Sequence, residues 1–208
     1  MAHISAAERR PQLVQAAIDL MAREGVEAGS TRAIAAELGV AQATVHYVFG
    51  SKQDLYRAVI EHMTCELVER VRGAARPDDT FERSIRRMAG ALWEGMREQP
   101  QRSLLHTELS TYALRSPELR EVLRDFQRSM EETAASLLTE TAARSGRTPA
   151  EDPLVIARFF LSGLDGIEQR YLLMSDGTDE TDGTAGDDLN RLVTAVLRLA
   201  GVGEGEGD

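Results

Sequence analysis

Apolar residues recur along this chain at steps of three and four with almost no strict alternation, a periodicity that predicts helices from end to end and an all-α fold. The first stripe is Leu13, Ala17 and Leu20, flanked by Val14, Ile18 and Met21. It stops at Gly25, and a short polar turn follows through Gly29. Ser30 or Thr31 then caps a helix from about Arg32 to Leu38 that buries Ile34, Ala35 and Leu38. Gly39 ends it, and a second short helix restarts over Gln42 to Val48. Two short helices joined by a tight glycine turn spell a helix-turn-helix. Ser51 caps the next helix, over 52–72, whose stripe runs Leu55/Tyr56, Val59/Ile60, Met63, Leu67 and Val71 before it dies at Gly73–Pro77.

From Asp78 the pattern restarts as Phe81, Ile85, Met88, Leu92 and Met96, a clean amphipathic helix that ends before Pro100. Leu104, Leu105, Leu109 and Leu114 mark a further helix up to Ser116-Pro117. One long helix then carries Leu119, Val122/Leu123, Phe126, Met130 and Leu137. Leu154 to Met174 is apolar on several faces at once, so it should be buried on more than one side, and a second copy of the chain is the natural source of the extra cover. Residues 175–188 read as an acidic loop, Leu189 to Leu197 as a last helix, and 204–208 as a disordered tail. The expected architecture is an N-terminal three-helix domain holding the helix-turn-helix, about 1–50, and a C-terminal antiparallel helical bundle over 51–203. Helix 52–72 connects the two, and there are about nine helices in all.

Charge sharpens this picture. The chain has 208 residues and a net charge of −10. Residues 1–60 hold six basic and six acidic side chains, leaving 18 of the 24 basic and 28 of the 34 acidic groups to the remainder. A polyanion would therefore have to meet the N-terminal quarter, through a local patch and a specific docking geometry. The single cysteine, Cys65, excludes an intrachain disulfide and any multi-cysteine metal site, and fits a reducing cytoplasm. No run approaches eighteen unbroken apolar residues, and the N-terminus lacks an apolar signal core, so a cytoplasmic protein that does not span a membrane is expected.

At residues 31–55 the sequence TRAIAAELGVAQATVHYVFGSKQDL resembles the DNA-binding signature of the TetR family of bacterial transcriptional regulators. The positions that carry the resemblance are Thr31, Ile34-Ala35, Gly39-Val40, Thr44-Val45, Phe49, Ser51-Lys52 and Leu55, within a span of about 8–60. The segment Glu108–Leu119 also looks like TetR-type effector domains. The chain departs from the family pattern at Ala41, where a serine usually caps the helix, at His46 in place of the common tyrosine, and at Val48.

A recognition helix needs short side chains at its leading end and a few hydrogen-bonding ones among them, as in Ala41, Gln42, Ala43 and Thr44. Gln42 suits adenine, Thr44 a phosphate or a thymine methyl, Tyr47 a phosphate through its hydroxyl, and His46 a contact at the same surface. Thr31 and Lys52 each begin a helix, where backbone amides and the dipole favour phosphate, and Arg32, Arg9 and Arg10 can extend that clamp. The resemblance implies a homodimer through helices 153–174 and 188–200, a near-palindromic double-stranded operator, and repression relieved by a small-molecule effector.

No catalytic constellation emerges from the four scattered histidines, and no cofactor is called for. His62, Cys65 and Glu66 share a helix face suited to a metal, although a core cysteine with surface neighbours is the plainer reading. Trp93, Met96, His106, Tyr112, Phe126, Met130, Phe159 and Phe160, with Asp165 and Gln169 as polar anchors, are the candidate lining of a largely apolar effector pocket between helices. Gly163 and Gly166, costly inside a helix, point to a close helix crossing. A constitutive DNA-binding dimer without effector, and a helical enzyme or ligand carrier with an incidental helix-turn-helix, are the alternatives.

Overall fold

The computed structural model of the chain describes residues 6–175 and 179–202. Among them are nine α-helices and no strand: α1 (Ala6–Glu24), α2 (Thr31–Glu37), α3 (Gln42–Phe49), α4 (Lys52–Ala74), α5 (Phe81–Glu98), α6 (Pro100–Leu114), α7 (Pro117–Arg144), α8 (Pro153–Met174) and α9 (Asp179–Leu199). The all-α class is as the periodicity predicts. The expected tail at 204–208 lies outside the described residues.

Helix ends follow the local chemistry. Ser30 caps α2, its hydroxyl accepting from the Ala33 amide at 3.2 Å. Gly39 and Gly50, at φ +62° and +69°, let the chain turn after α2 and α3 in a conformation that a Cβ disfavours. Ser51 accepts from the Asp54 amide at 3.1 Å and donates to its carboxylate at 2.5 Å, closing the start of α4. The sequence reading misses a 3-10 turn at Val26–Ala28, inside the segment expected to be a polar turn, where Val26 is buried.

The chain divides into two compact units, one formed by residues up to Cys65 with Gln99–Phe126, the other by Glu66–Glu98 with residues from Gln127 onward. Compaction thus cuts α4 and α7 in mid-helix, whereas the pattern of stripes and turns suggests a break near residue 50. The core of the first unit is built from Leu13, Ala17 and Ile18 of α1, Ile34 of α2, Val45 of α3, Leu55, Tyr56 and Val59 of α4, and Leu105 and Leu109 of α6. Both backbone groups of Val26 are held by side chains: its amide donates to Glu108 Oε2 of α6 at 2.9 Å, and its carbonyl accepts from the Tyr56 hydroxyl of α4 at 3.0 Å.

In the second unit Val71 of α4, Ile85, Met88 and Leu92 of α5, Leu138 of α7, Ile156 and Leu164 of α8, and Val193 and Val196 of α9 form one core. Trp93 meets Tyr171 edge to face at 5.1 Å. A Cβ on Gly163 would come within 2.6 Å of Leu192, so this glycine marks a close approach of α8 to α9, while Gly166 faces open space. Residues 179–188, expected to be part of an acidic loop, are instead helical. Ala185 extends the buried stripe of Leu189 one turn back, a small residue that carries little periodic signal. Asp188 accepts from Arg170 of α8 at 2.9 Å and from Arg191 at 2.8 Å, so its charge is engaged on the helix.

Tyr56→Phe removes one buried hydrogen bond and leaves the Val26 carbonyl its bond from the Gly29 amide. The expected loss is about 1 kcal/mol, read as a lower urea midpoint at unchanged m-value.

Candidate nucleic-acid interface and ligand cavity

The helix-turn-helix presents a continuous polar face. Gln42, Ala43, His46 and Tyr47 of α3 are exposed, Tyr47 at 81%, while Val45 and Phe49 turn inward as the 3.6-residue period requires. Gln42 Nε2 donates to Thr31 Oγ1 at 3.2 Å and lies 3.4 Å from His46 Nε2, which in turn is 3.3 Å from Thr31 Oγ1. The three side chains close a triangle between the first residue of α2 and the first turns of α3. Thr44 is half-buried and Arg32 exposed. Arg10 stacks over the Phe49 ring at 5.7 Å, and Arg9 donates to Gln12 at 2.9 Å.

Lys52, the first residue of α4, holds its Nζ 5.1 Å from the Tyr56 ring centroid and 5.6 Å from that of Tyr112 on α6. Hydrogen bonding to the Tyr56 hydroxyl raises the Lys52 ammonium above its ordinary value, against a smaller opposing effect of burial. Burial pushes the Tyr56 phenol up, with Lys52 pulling the other way.

The second unit contains a cavity of about 90 Å³. Leu67, Val68 and Val71 of α4, Ile85, Met88, Ala89 and Leu92 of α5, Met130, Thr133, Ala134, Leu137 and Leu138 of α7, Ile156, Ala157, Phe160 and Leu161 of α8, and Val196 of α9 line it. Thr133 is the sole polar side chain in that lining, and no charge reaches it.

The candidate effector residues do not come together as one site. Of them, Met130 and Phe160 line the cavity. Trp93 is buried against Tyr171 and Met96 packs on the same core. His106 and Phe126 face each other at 6.0 Å in the first unit, where Tyr112 also lies. Asp165 and Gln169 are exposed. Phe159 lies in a shallow groove with Val155, Arg198 and Leu199, whereas its neighbour Phe160 reaches the cavity, the two being about 100° apart around α8. Leu67, Met88 and Leu137 read from the sequence as core but not as cavity, since an apolar stripe carries the same signal for both. Cys65 is exposed and not a core cysteine, and no group of three or more His, Cys, Asp or Glu suited to a metal occurs among the described residues.

The pattern described as bacterial regulatory proteins of the tetR family matches residues 13–59, and that of the BetI-type transcriptional repressor C-terminal domain matches 81–198, more than half of the chain. The chain belongs to the TetR family. It is a DNA-binding transcriptional regulator, with the helix-turn-helix in α2 and α3. The nicotine-responsive transcriptional repressor HdnoR of Paenarthrobacter nicotinovorans is 28% identical over 199 residues, covering 96% of this chain and 99% of that protein. The multidrug binding protein EbrR, solved with imidazole, is 30% identical with a TM-score of 0.63, covering 89% of each chain. A TetR regulator from Haloarcula marismortui, at 18% identity, shares the fold with a TM-score of 0.72 over 94% of this chain and 97% of that one. No helix among the described residues of this TetR-family chain is long and apolar enough to cross a membrane.

The raised Lys52 and Tyr56 values carry the same sign for stability. Each group binds its proton more tightly in the folded state, so the stability it contributes is full below its unfolded value, about 10 for both, and is lost as pH rises through the folded value. A thermal midpoint that falls above about pH 10, more steeply in the wild type than in Tyr56→Phe, is expected from a pH series of melts.

Proposed function

We propose that this TetR-family chain is a cytoplasmic repressor that grips a near-palindromic operator as a homodimer and is released by a small, uncharged, largely apolar effector. Gln42 and Ala43 face base edges, while Thr31, Arg32, Thr44, His46 and Tyr47 of residues 1–50, with Lys52 at the start of α4, meet the backbone or groove wall. The remainder, 51–203, carries the effector site and the dimer contact. Exposure of Tyr47 and the polar triangle of Thr31, Gln42 and His46 support this division, because side chains that read DNA must stand free of the core.

The observation that carries effector release is the pair of helices that wall the cavity. Residues 67–71 of α4 and 130–138 of α7 line it, and the same two helices continue into the unit that holds the helix-turn-helix, where Tyr56 of α4 fixes the Val26 turn. The cavity, about 90 Å³, is smaller than the roughly 150 Å³ that accepts benzene in an engineered protein interior. A drug-sized effector must therefore spread its walls, and a stiff helix transmits that displacement along its length. An ammonium or carboxylate placed there would lose its hydration without a partner, which costs several kcal/mol. Nicotine, to which HdnoR is named as responsive, and imidazole, found in complex with EbrR, are basic molecules; this lining suits them only in neutral form.

Val155 at 45% exposed, Phe159 at 44% and Leu199 at 36% lie together on α8 and α9, which supports these helices as the dimer face and Phe159 as part of it and not of the effector site.

Two experiments test these proposals. A thermal-shift screen of uncharged apolar compounds against their cationic analogues should give stabilisation of about 2.7 kcal/mol at a hundredfold excess over Kd for the neutral set only. Ala134→Phe, which fills the cavity, should abolish that shift and the loss of operator binding measured by fluorescence anisotropy. Stabilisation by cations alone would refute the apolar assignment. Phe159→Glu should yield a monomer in analytical ultracentrifugation and weaken operator binding at least tenfold, whereas an intact dimer would remove Phe159 from the interface.

A further inference from the structure

Tyr112 is on α6, in the unit that contains the helix-turn-helix, and its ring meets that of Tyr56 edge to face at 5.9 Å and 76°. Tyr56 is held in place: its side chain is fully buried and its hydroxyl donates to the Val26 carbonyl at 3.0 Å. The Lys52 ammonium stands over both rings, 5.1 Å from one centroid and 5.6 Å from the other. Two aromatic faces attract a cation through their quadrupoles. The polar neighbours on the same turn are occupied elsewhere, since Asp54 takes the Ser51 hydroxyl at 2.5 Å and Gln53 donates to Glu118 of α7 at 2.6 Å. The Tyr56 hydroxyl oxygen and the two rings are left to fix the ammonium.

A lysine stem is flexible, and tying its ammonium to a phosphate removes rotamer freedom that weakens binding. A lysine already confined by two rings loses less of that freedom when DNA arrives. We propose that Tyr112 is a positioning residue for operator binding, holding the Lys52 ammonium with Tyr56 at the start of α4 so that α6 helps to set the grip on the phosphate. This rests on Lys52 as a phosphate contact, proposed above. It moves Tyr112 from the effector pocket, where the sequence alone suggested it, to the DNA side of the molecule.

The test uses the full chain and an operator obtained by random-sequence selection. Wild type, Tyr112→Phe, Tyr112→Leu, Lys52→Ala and the Lys52→Ala/Tyr112→Leu double variant are titrated by fluorescence anisotropy at several salt concentrations, with thermal midpoints recorded alongside. Tyr112→Leu is expected to weaken binding about 2- to 5-fold per recognition helix, the range of a partly exposed cation–π contact. The salt slope should not change, because Lys52 still reaches its phosphate. Tyr112→Phe should bind like the wild type. Lys52→Ala should lower the slope by about one per recognition helix, and Tyr112→Leu should then add nothing.

Lys52 is the only lysine in the chain, so its ε-methylene signal in lysine-labelled protein is unambiguous. That signal should be shifted upfield by the rings in the free wild type and return toward the random-coil position in Tyr112→Leu, a readout independent of DNA. Equal weakening by Tyr112→Leu with and without Lys52, no weakening at all, or a random-coil ε-methylene shift in the wild type overturns the positioning role. An unchanged affinity and slope in Lys52→Ala overturns the phosphate contact itself, and the positioning role with it.

Discussion

The turn at Val26 is fixed by atoms far away in sequence. Its amide is held by Glu108 and its carbonyl by Tyr56, so the junction between α1 and α2 depends on α6 and α4 being in place. Losing Glu108 leaves the Val26 amide without that acceptor, which costs about 1–3 kcal/mol in a buried setting, whereas the carbonyl keeps its bond from the Gly29 amide. The helix-turn-helix is therefore not an independent module on a stalk. Asp19 of α1 facing Arg102 of α6 at 3.9 Å, and Gln53 of α4 bonded to Glu118 of α7, tie the same unit together at its surface. Compaction places α6 and the start of α7 with the helix-turn-helix for this reason.

That arrangement gives the proposed effector response a material route. Helices α4 and α7 are each single elements, and each contributes one half to the core around Val26 and the other half to the wall of the apolar cavity. Close-packed interiors deform by discrete shifts and not by continuous yielding. A molecule that forces the cavity walls apart acts on helices whose other ends hold the DNA-reading face. The coupling is reciprocal, so bound operator weakens the effector by the same factor.

Electrostatics divides the labour in the opposite sense. The first 60 residues are neutral in sum while the rest carries the full −10. Attraction to DNA must therefore come from a few cations set against helix N-termini, where the macrodipole adds to them. The placement of Lys52 over two rings matters more in such a chain than it would on a strongly basic surface, because there are few neighbouring cations to compensate for its loss.

Periodicity alone determined the all-α class, the short pair of helices around Gly39 and the capping serines, because amphipathic spacing and left-handed glycine turns are local properties written in neighbouring residues. The exposed side of α3 was equally legible: a helix whose Val45 and Phe49 are buried must expose Gln42, Ala43, His46 and Tyr47. What surrounds the cavity was not. Phe159 and Phe160 are chemically identical and adjacent, and only the packing of α8 against its neighbours decides which one enters the cavity and which one faces out. Ala185, too small to mark a stripe, hid the first turns of α9 behind an acidic composition. Tyr112 looked like a ligand contact because large aromatics serve pockets and cores alike; its place beside Lys52 depends on how α6 meets α4 across some sixty residues of sequence. Local chemistry sets the helices and their faces, whereas long-range packing chooses each face's partner, since apolar burial is non-directional until shapes are fitted together.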